Sequence, residues 1–203
     1  VVTAIAVPAS NPPWARSIRA WRDLLALPQS VRIGIKDAET SGSAYATYFA
    51  LREEYGYHFW RSLAARRVRI YRTESEMLAA LQSGEVDLLA GIMAPVAAAH
   101  KVRLIIPDDG VPVVIGPVAI IAGCPHPNAA KLLVDFLLSS DGQKLLRDAT
   151  GAFPCRPDVS PPPNLPPPEK LKLLQPRCGW QLYTALQVWL QGEYHDLFRA
   201  SGE

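Results

Sequence analysis

Val31-Arg32-Ile33-Gly34-Ile35, followed by Thr40-Ser41-Gly42-Ser43-Ala44-Tyr45, is the stretch from which the fold can be read. Val31, Ile33 and Ile35 alternate with Arg32 and Gly34, the period of a strand. The small hydroxyl residues precede a helical run, Tyr45, Tyr48, Phe49 and Leu51, which Gly56 should end. A strand that feeds a helix in this way is half of an α/β unit. The helix start leaves several backbone N–H groups free.

The pattern continues on both sides. Downstream, the sequence predicts a second helix over residues 57–67 and a strand over 68–71. Thr73-Glu74-Ser75-Glu76 has the form of a capping box. It opens a helix with Met77, Leu78 and Leu81 inward, closed by Ser83-Gly84. Residues 86–92 are nearly all apolar, as in a strand covered on both faces. Upstream, residues 1–7 read as a buried strand ended by Pro8, Pro12 and Pro13. A short helical stretch over 18–25 carries Trp21, Leu24 and Leu25 to one side, and Pro28 stops it. Strands alternate with helices from 31 to about 106, which argues an α/β layer architecture.

Beyond that point the character changes. Asp108-Asp109-Gly110 is a turn and residues 118–122 are expected to form a strand. Asn128 is expected to cap a helix with Leu132, Leu133, Phe136 and Leu137 at core spacing. Ser140-Asp141-Gly142-Gln143 has a second capping-box form and starts a helix through Thr150, with Gly151 after it. Ser160-Pro161-Pro162-Pro163-Asn164-Leu165-Pro166-Pro167-Pro168 cannot be helix or central strand and reads as a stiff extended connector. Leu182, Leu186, Trp189, Leu190, Tyr194, Leu197 and Phe198 mark one face of a terminal helix, weakened at Gly192.

The composition narrows the function classes. The chain has 203 residues, 49% of them hydrophobic, with 21 Lys+Arg against 19 Asp+Glu and a net charge of +2. That is a soluble globular composition, outside the disordered class. The near-balance of charge makes no electrostatic case for nucleic acid. The most apolar run, residues 111–123, is interrupted by Pro112 and Pro117 and is too short to span a bilayer. The first residue is Val1, with no charged segment before the apolar run, as in a mature or truncated product.

In order and spacing, these elements resemble a bacterial solute-binding protein of an ABC importer, of the two-lobed type 2 periplasmic class. The likeness is to the branch that binds ferric iron, phosphonates, thiamine and similar solutes. It is carried by Trp21-Arg22-Asp23-Leu24-Leu25, Ser41-Gly42-Ser43-Ala44-Tyr45, Tyr55-Gly56-Tyr57-His58-Phe59-Trp60, Ser83-Gly84-Glu85-Val86-Asp87, Pro125-His126-Pro127-Asn128-Ala129-Ala130-Lys131 and Ser140-Asp141-Gly142-Gln143. The resemblance implies an α/β fold of the type 2 periplasmic-binding-protein kind, with one complete lobe plus part of the second. Residues 8–102 would be lobe 2, residues 1–7 and 103–152 the crossing strand and the returning part of lobe 1, and 153–203 the Pro-rich connector and C-terminal helix. The opening segment of lobe 1 would then be missing from this chain, and the ligand cleft would lack one wall.

The resemblance also implies a non-enzymatic, periplasmic protein without a cofactor, monomeric when full length. It would capture a small anionic solute of phosphonate, phosphate-ester or carboxylate type and present it to an ABC permease. Thr40, Ser41, Gly42 and Ser43 are the strongest candidates. A helix start and its dipole favour an anion, and Gly42 permits close approach. The same residues also read as an ordinary N-cap that binds only water. Asn11 and Trp14 follow the crossing strand, where relatives place cleft residues; a plain Pro-rich turn is the alternative. Gly91 and Met93 line the cleft or belong to the core. Asp109, at the expected return crossing, is a hinge or cleft residue or a surface turn.

Iron-binding relatives carry a Tyr-Tyr pair where this chain has Leu89-Ala90-Gly91-Ile92-Met93-Ala94-Pro95, and Met93 is a poor ligand for a hard ferric ion. His58, His100, His126 and His195 are far apart in sequence, and Cys124-Pro125-His126 supplies two groups where a zinc site needs more. No G-x-x-x-x-G-K-[ST], G-x-S-x-G or H-E-x-x-H occurs. Two rivals share the fold class. One is the effector-binding domain of a transcription regulator, which a helix-turn-helix on the whole protein would reveal. The other is an enzyme on the same lobes, which would need an acid/base pair in the cleft. If the protein is exported, as the likeness implies, a Cys155–Cys178 bond would close a loop of about 24 residues, worth about 3 kcal/mol. Cys124 would be the odd thiol, and three free cysteines are the alternative.

Overall fold

The apolar start of the chain forms strand β1 (Thr3–Pro8), followed by two 3-10 turns at Pro13–Ser17 and Trp21–Leu25 in place of the helix expected over 18–25. The computed structural model describes residues 1–66 and 68–199. β2 (Ile33–Lys36) leads to α1 (Gly42–Tyr55) and α2 (Tyr57–Ala64), whose expected end at Arg67 lies outside the described residues. β3 (Arg69–Tyr71), α3 (Glu74–Gln82), β4 (Leu88–Met93), α4 (Ala94–Ala98) and β5 (Val102–Ile105) follow, then the two-residue strand β6 (Val111–Pro112). α5 (Pro127–Leu138) and α6 (Ser140–Thr150) precede the Pro-rich stretch, after which come β7 (Leu173–Leu174), α7 (Trp180–Ala185) and α8 (Gln187–Phe198).

The five long strands form one sheet in the order β3-β2-β4-β1-β5. β2 is parallel to β3 and β4, whereas β1 runs antiparallel to both β4 and β5. Strand alternation, interrupted by a register shift between Ala4 and Ile5 opposite Gly91, sorts the side chains into two layers. Ile5, Val7, Ile33, Ile35, Leu88 and Ala90 face α1, α2 and α8; Ala6, Leu89 and Ile92 face α3 and α4. Met77, Leu78 and Leu81 of α3 are buried there, under a capping box in which Thr73 and Glu76 satisfy each other's backbone N–H groups. No helix among the described residues is long and apolar enough to cross a membrane.

α8 is part of the larger core. Leu190, Tyr194 and Leu197 are buried, whereas Trp189, placed on the same face by its spacing, is exposed. Glu193 accepts hydrogen bonds from the Tyr48 hydroxyl (2.6 Å) and from Arg52 Nε (2.8 Å) and Nη2 (3.0 Å). Arg199 reaches the fully buried Asp37 at 2.7 Å.

Several expectations for residues 111–178 are corrected. Residues 118–122 form no strand: Gly116, Pro117 and Gly123 flank them, they pair with no strand among the described residues, and Val118, Ile120 and Ile121 are exposed. His126 occupies the N-cap position of α5 with Pro127 behind it, so Asn128 sits inside the helix. Ser139, one residue earlier than expected, caps α6 and accepts from the Gly142 N–H at 3.1 Å. Leu132 is 70% exposed, and Leu133, Phe136, Leu138 and Leu145 are exposed with it. The spacing is that of a core face, but no described element covers it. Cys155 and Cys178 are not bonded, and all three cysteines are free. The Cys155 N–H is held by Gln143 of α6, while that of Cys178 is held by Glu53 of α1.

Burial raises the Glu193 carboxyl, but the hydrogen bonds from Arg52 and Tyr48 outweigh it and hold the group below the ordinary glutamate value of 4.5. A carboxyl depressed in the folded state stabilises the fold above its unfolded value, and that contribution is lost as pH falls through the folded value. Urea midpoints should therefore fall as pH drops below 4.5. Glu193→Gln should shrink this acid dependence and cost about 1–2 kcal/mol at pH 7. An unchanged acid profile in the variant would show that Glu193 does not anchor α8.

Candidate functional site

Register fixes which groups meet. Ile35 of β2 lies beside Ala90 of β4, and Thr3 of β1 pairs with Met93, so the C-terminal ends of β2 and β4 and the start of β1 share one end of the sheet. α1 begins there. Ser41 is its N-cap, with an extended backbone and a side-chain oxygen that accepts from the Ala44 N–H at 3.4 Å. Among the described residues, the Gly42 and Ser43 N–H groups have no partner. The helix dipole adds partial positive charge at this point.

Lys36, the last residue of β2, completes the arrangement. Its Nζ donates to Ser43 Oγ at 3.2 Å and to Glu74 Oε2 at 2.5 Å. Its side chain is only 9% exposed. Glu74, in the first turn of α3, offsets much of the lysine charge, and among the described residues its buried Oε1 has no partner. Ser41 Oγ and Ser43 Oγ lie 3.1 Å apart. Behind them, Thr47 donates to the Ser43 carbonyl (2.9 Å), which leaves the Thr3 hydroxyl as donor across the 2.8 Å contact between the two threonines. Gly91 packs on Thr47 with φ +78°, a left-handed conformation that favours glycine, and a Cβ there would lie 3.1 Å from Thr47 Cγ2.

Gly42 and Ser43 open onto a cleft of about 560 Å³, lined further by Val114 and Ile115 and by Trp180 and Tyr183 of α7. Val114 is held by reciprocal bonds to Val1, 2.9 and 2.8 Å long. Tyr183 packs on Tyr45 and Phe49 at ring-centroid distances of 4.9 and 4.8 Å, and the Tyr45 hydroxyl donates to its carbonyl at 2.8 Å. Burial pushes the Tyr183 phenol up from its ordinary value. A gap of about 20 Å³ among Lys36, Thr47, Trp60 and Gly91 has room for about one water and not for a solute.

The structure gathers Ser41, Gly42 and Ser43 at the α1 start, with Gly91 behind them, while Thr40, one residue earlier, is exposed. Met93 lies at the same end of the sheet but in a second cleft, of about 750 Å³, beside Val1 and His100. Asn11 and Trp14 follow the opposite end of β1, where Asn11 takes a left-handed turn (φ 48°) and Trp14 packs on the larger core. Asp109 accepts from the Trp21 N–H at 3.0 Å and from the Tyr55 hydroxyl. Tyr55 ends α1, about 20 Å from its start, so Asp109 braces the far end of the helix. Lys36, Trp180 and Tyr183 have no counterpart among the residues nominated from sequence. Lys36 could have been found as the basic residue ending the strand before the cap; nothing local marks the other two. No cluster of three His, Cys, Asp or Glu among the described residues could hold a metal ion. What the site offers is hydrogen-bond donors.

The family described as bacterial extracellular solute-binding protein matches residues 2–149. No curated protein matches the sequence. Among solved structures, the periplasmic binding protein AfuA from Actinobacillus pleuropneumoniae, with fructose-6-phosphate bound, superposes with a TM-score of 0.81 at 20% identity, over 98% of this chain and 66% of that one. Iron-bound HitA from Pseudomonas aeruginosa gives 0.73 at 21% identity, over 100% and 67%. A periplasmic thiamin-binding protein gives 0.76 at 18%, over 97% and 64%. The fold is that of the type 2 periplasmic binding proteins, and the chain spans about two thirds of their length.

Gly91→Ala should cost about 1–3 kcal/mol in urea unfolding, through the left-handed backbone and the crowding of Thr47. Gly192→Ala, where a Cβ meets nothing within 4 Å inside α8, should change stability in the opposite sense by about 0.5–1 kcal/mol. Equal effects at the two glycines would remove the strain argument.

Proposed function

The chain belongs to the bacterial extracellular solute-binding proteins, and we propose that it captures a small anionic solute at the 40–43 turn and presents it to the permease of an ABC importer. The solute is of phosphonate, phosphate-ester or carboxylate type. One observation carries the reading: two backbone N–H groups without a partner among the described residues, at Gly42 and Ser43, stand beside Lys36 and two serine hydroxyls at the edge of an open cleft. A helix N-terminus with hydroxyl donors favours negative charge. Because Glu74 already balances Lys36, recognition falls on directional N–H and O–H donors more than on net charge.

Residues 8–102 serve as one lobe, with residues 1–7 and 103–152 crossing to and returning into the other, and 153–203 as connector and terminal helix. Closure of the lobes shuts water out of the cleft. The protein acts in the periplasm, as a monomer when full length. The sugar phosphate in AfuA is a phosphate ester, which supports the reading, while iron and thiamin in other neighbours show that the fold alone does not set the solute.

Calorimetry on the intact protein with inorganic phosphate and phosphate monoesters tests this. A Cβ at Gly42 meets nothing within 4 Å, so Gly42→Val should leave the fold intact yet block the approach, weakening binding by roughly tenfold or more. Ser41→Ala should cost about 1 kcal/mol, and Lys36→Met up to about 3. If all three variants bind every anion as the parent does, the site lies elsewhere.

A further inference from the structure

We infer that the solute's anionic group is joined to a flat, unsaturated ring, and that Trp180 and Tyr183 form the wall against which the ring lies. The inference rests on the anion-binding reading of the same cleft and goes further, because it names the part of the solute that the anion site does not touch.

The cleft has one polar end. Gly42 and Ser43 supply the donors, and the Thr184 hydroxyl is already committed to the Trp180 carbonyl at 3.0 Å. Its other walls are Ala46 of α1, Val113, Val114, Ile115 and Pro117 of the irregular segment after β6, and Trp180 and Tyr183 of α7. Beyond that end no carboxylate, amide, guanidinium, ammonium or imidazole lines it among the described residues, and the polar side-chain atoms that remain, the Trp180 indole N–H and the Tyr183 hydroxyl, are too few for a polyhydroxylated body. A polyhydroxylated body such as a sugar needs a partner for each hydroxyl it buries, and a buried hydroxyl left unpaired costs affinity. A ring that is apolar over its faces needs none.

The aromatic wall is fixed in advance. Tyr183 is held by Tyr45 and Phe49, and Trp180 meets it edge-on, with centroids 5.4 Å apart and planes at 73°. Trp180 is nevertheless 42% exposed and Ile115 54% exposed. Large apolar side chains left open on two walls of one concavity mark a surface that gains from being covered. Two-ring contacts of offset or edge-on type add selectivity over an aliphatic body of equal size. A volume of about 560 Å³ accommodates a single ring with its anionic arm.

The test uses the intact protein and three probes: phenyl phosphate, glycerol 3-phosphate and inorganic phosphate, titrated by calorimetry and by tryptophan fluorescence. Phenyl phosphate should bind roughly tenfold more tightly than glycerol 3-phosphate and quench the emission. Trp180→Ala should bring the two esters to within about twofold while leaving inorganic phosphate unchanged, and Trp180→Phe should keep most of the preference. Should the alanine variant fail to fold, Trp180→Leu, which keeps bulk without a π face, carries the same expectation. Equal binding of the two esters, unaffected by changes at Trp180, overturns the ring inference and leaves the anion site standing. Failure of all three probes to bind overturns the anion reading, and the ring inference with it.

Discussion

β1 lies between β4 and β5 and runs against both, hydrogen-bonded along its length, with Ala4, Ile5, Ala6 and Val7 wholly buried. Antiparallel insertion of this strand into an otherwise parallel set decides which loops meet. It brings the chain start to the end of the sheet where β2 and β4 finish. There Val1 pairs with Val114 and Thr3 reaches Thr47 behind the start of α1. Had β1 run parallel, the turn at Asn11 and Trp14 would lie at that end. The orientation of one strand thus selects one set of candidate residues over another.

The support for the α1 start comes from residues distant in sequence. Lys36 is held between Glu74 and Ser43, and the carbonyl of Lys36 accepts a 3.3 Å bond from the Tyr194 hydroxyl. α8 lies over α1 through Glu193, Arg52 and Tyr48, and Arg199 neutralises the buried Asp37 just after β2. A terminal helix that follows a Pro-rich connector therefore steadies the strand-to-helix turn. Buried carboxylates with two or three donors each make this a rigid frame, on which a few free N–H groups can be aimed.

α5 and α6 show the opposite situation. They pack on each other so closely that a Cβ on Gly142 would sit 1.9 Å from the Phe136 carbonyl oxygen. Yet Leu132, Leu133, Phe136 and Leu145 remain open. Helical spacing reports that a face is apolar; it carries no information about which element covers it. The same limit explains residues 118–122, whose β-branched run has strand propensity but no partner edge to pair with.

Elements whose cause is local were legible in the residues themselves. The alternation of Val31, Ile33 and Ile35, the Ser41 cap, the Thr73–Glu76 box and the stop at Gly56 each depend on neighbours within a few positions, and strand and helix formed close to where they read. Ser139 and His126 took the cap positions one and two residues away from those expected, because several residues there compete for the same N–H groups. The Cys155–Cys178 pairing could not be judged from loop length, since each cysteine is held by a different helix. By itself the sequence determined the α/β layering and the capped helix start at Ser41, because both arise from short-range periodicity and capping. Only the tertiary structure decided that Lys36, Trp180 and Tyr183 share that site while Asn11, Trp14 and Asp109 stand away from it. Strand direction and the return of the terminal helices are set by packing between residues more than a hundred positions apart, and no local pattern encodes that distance.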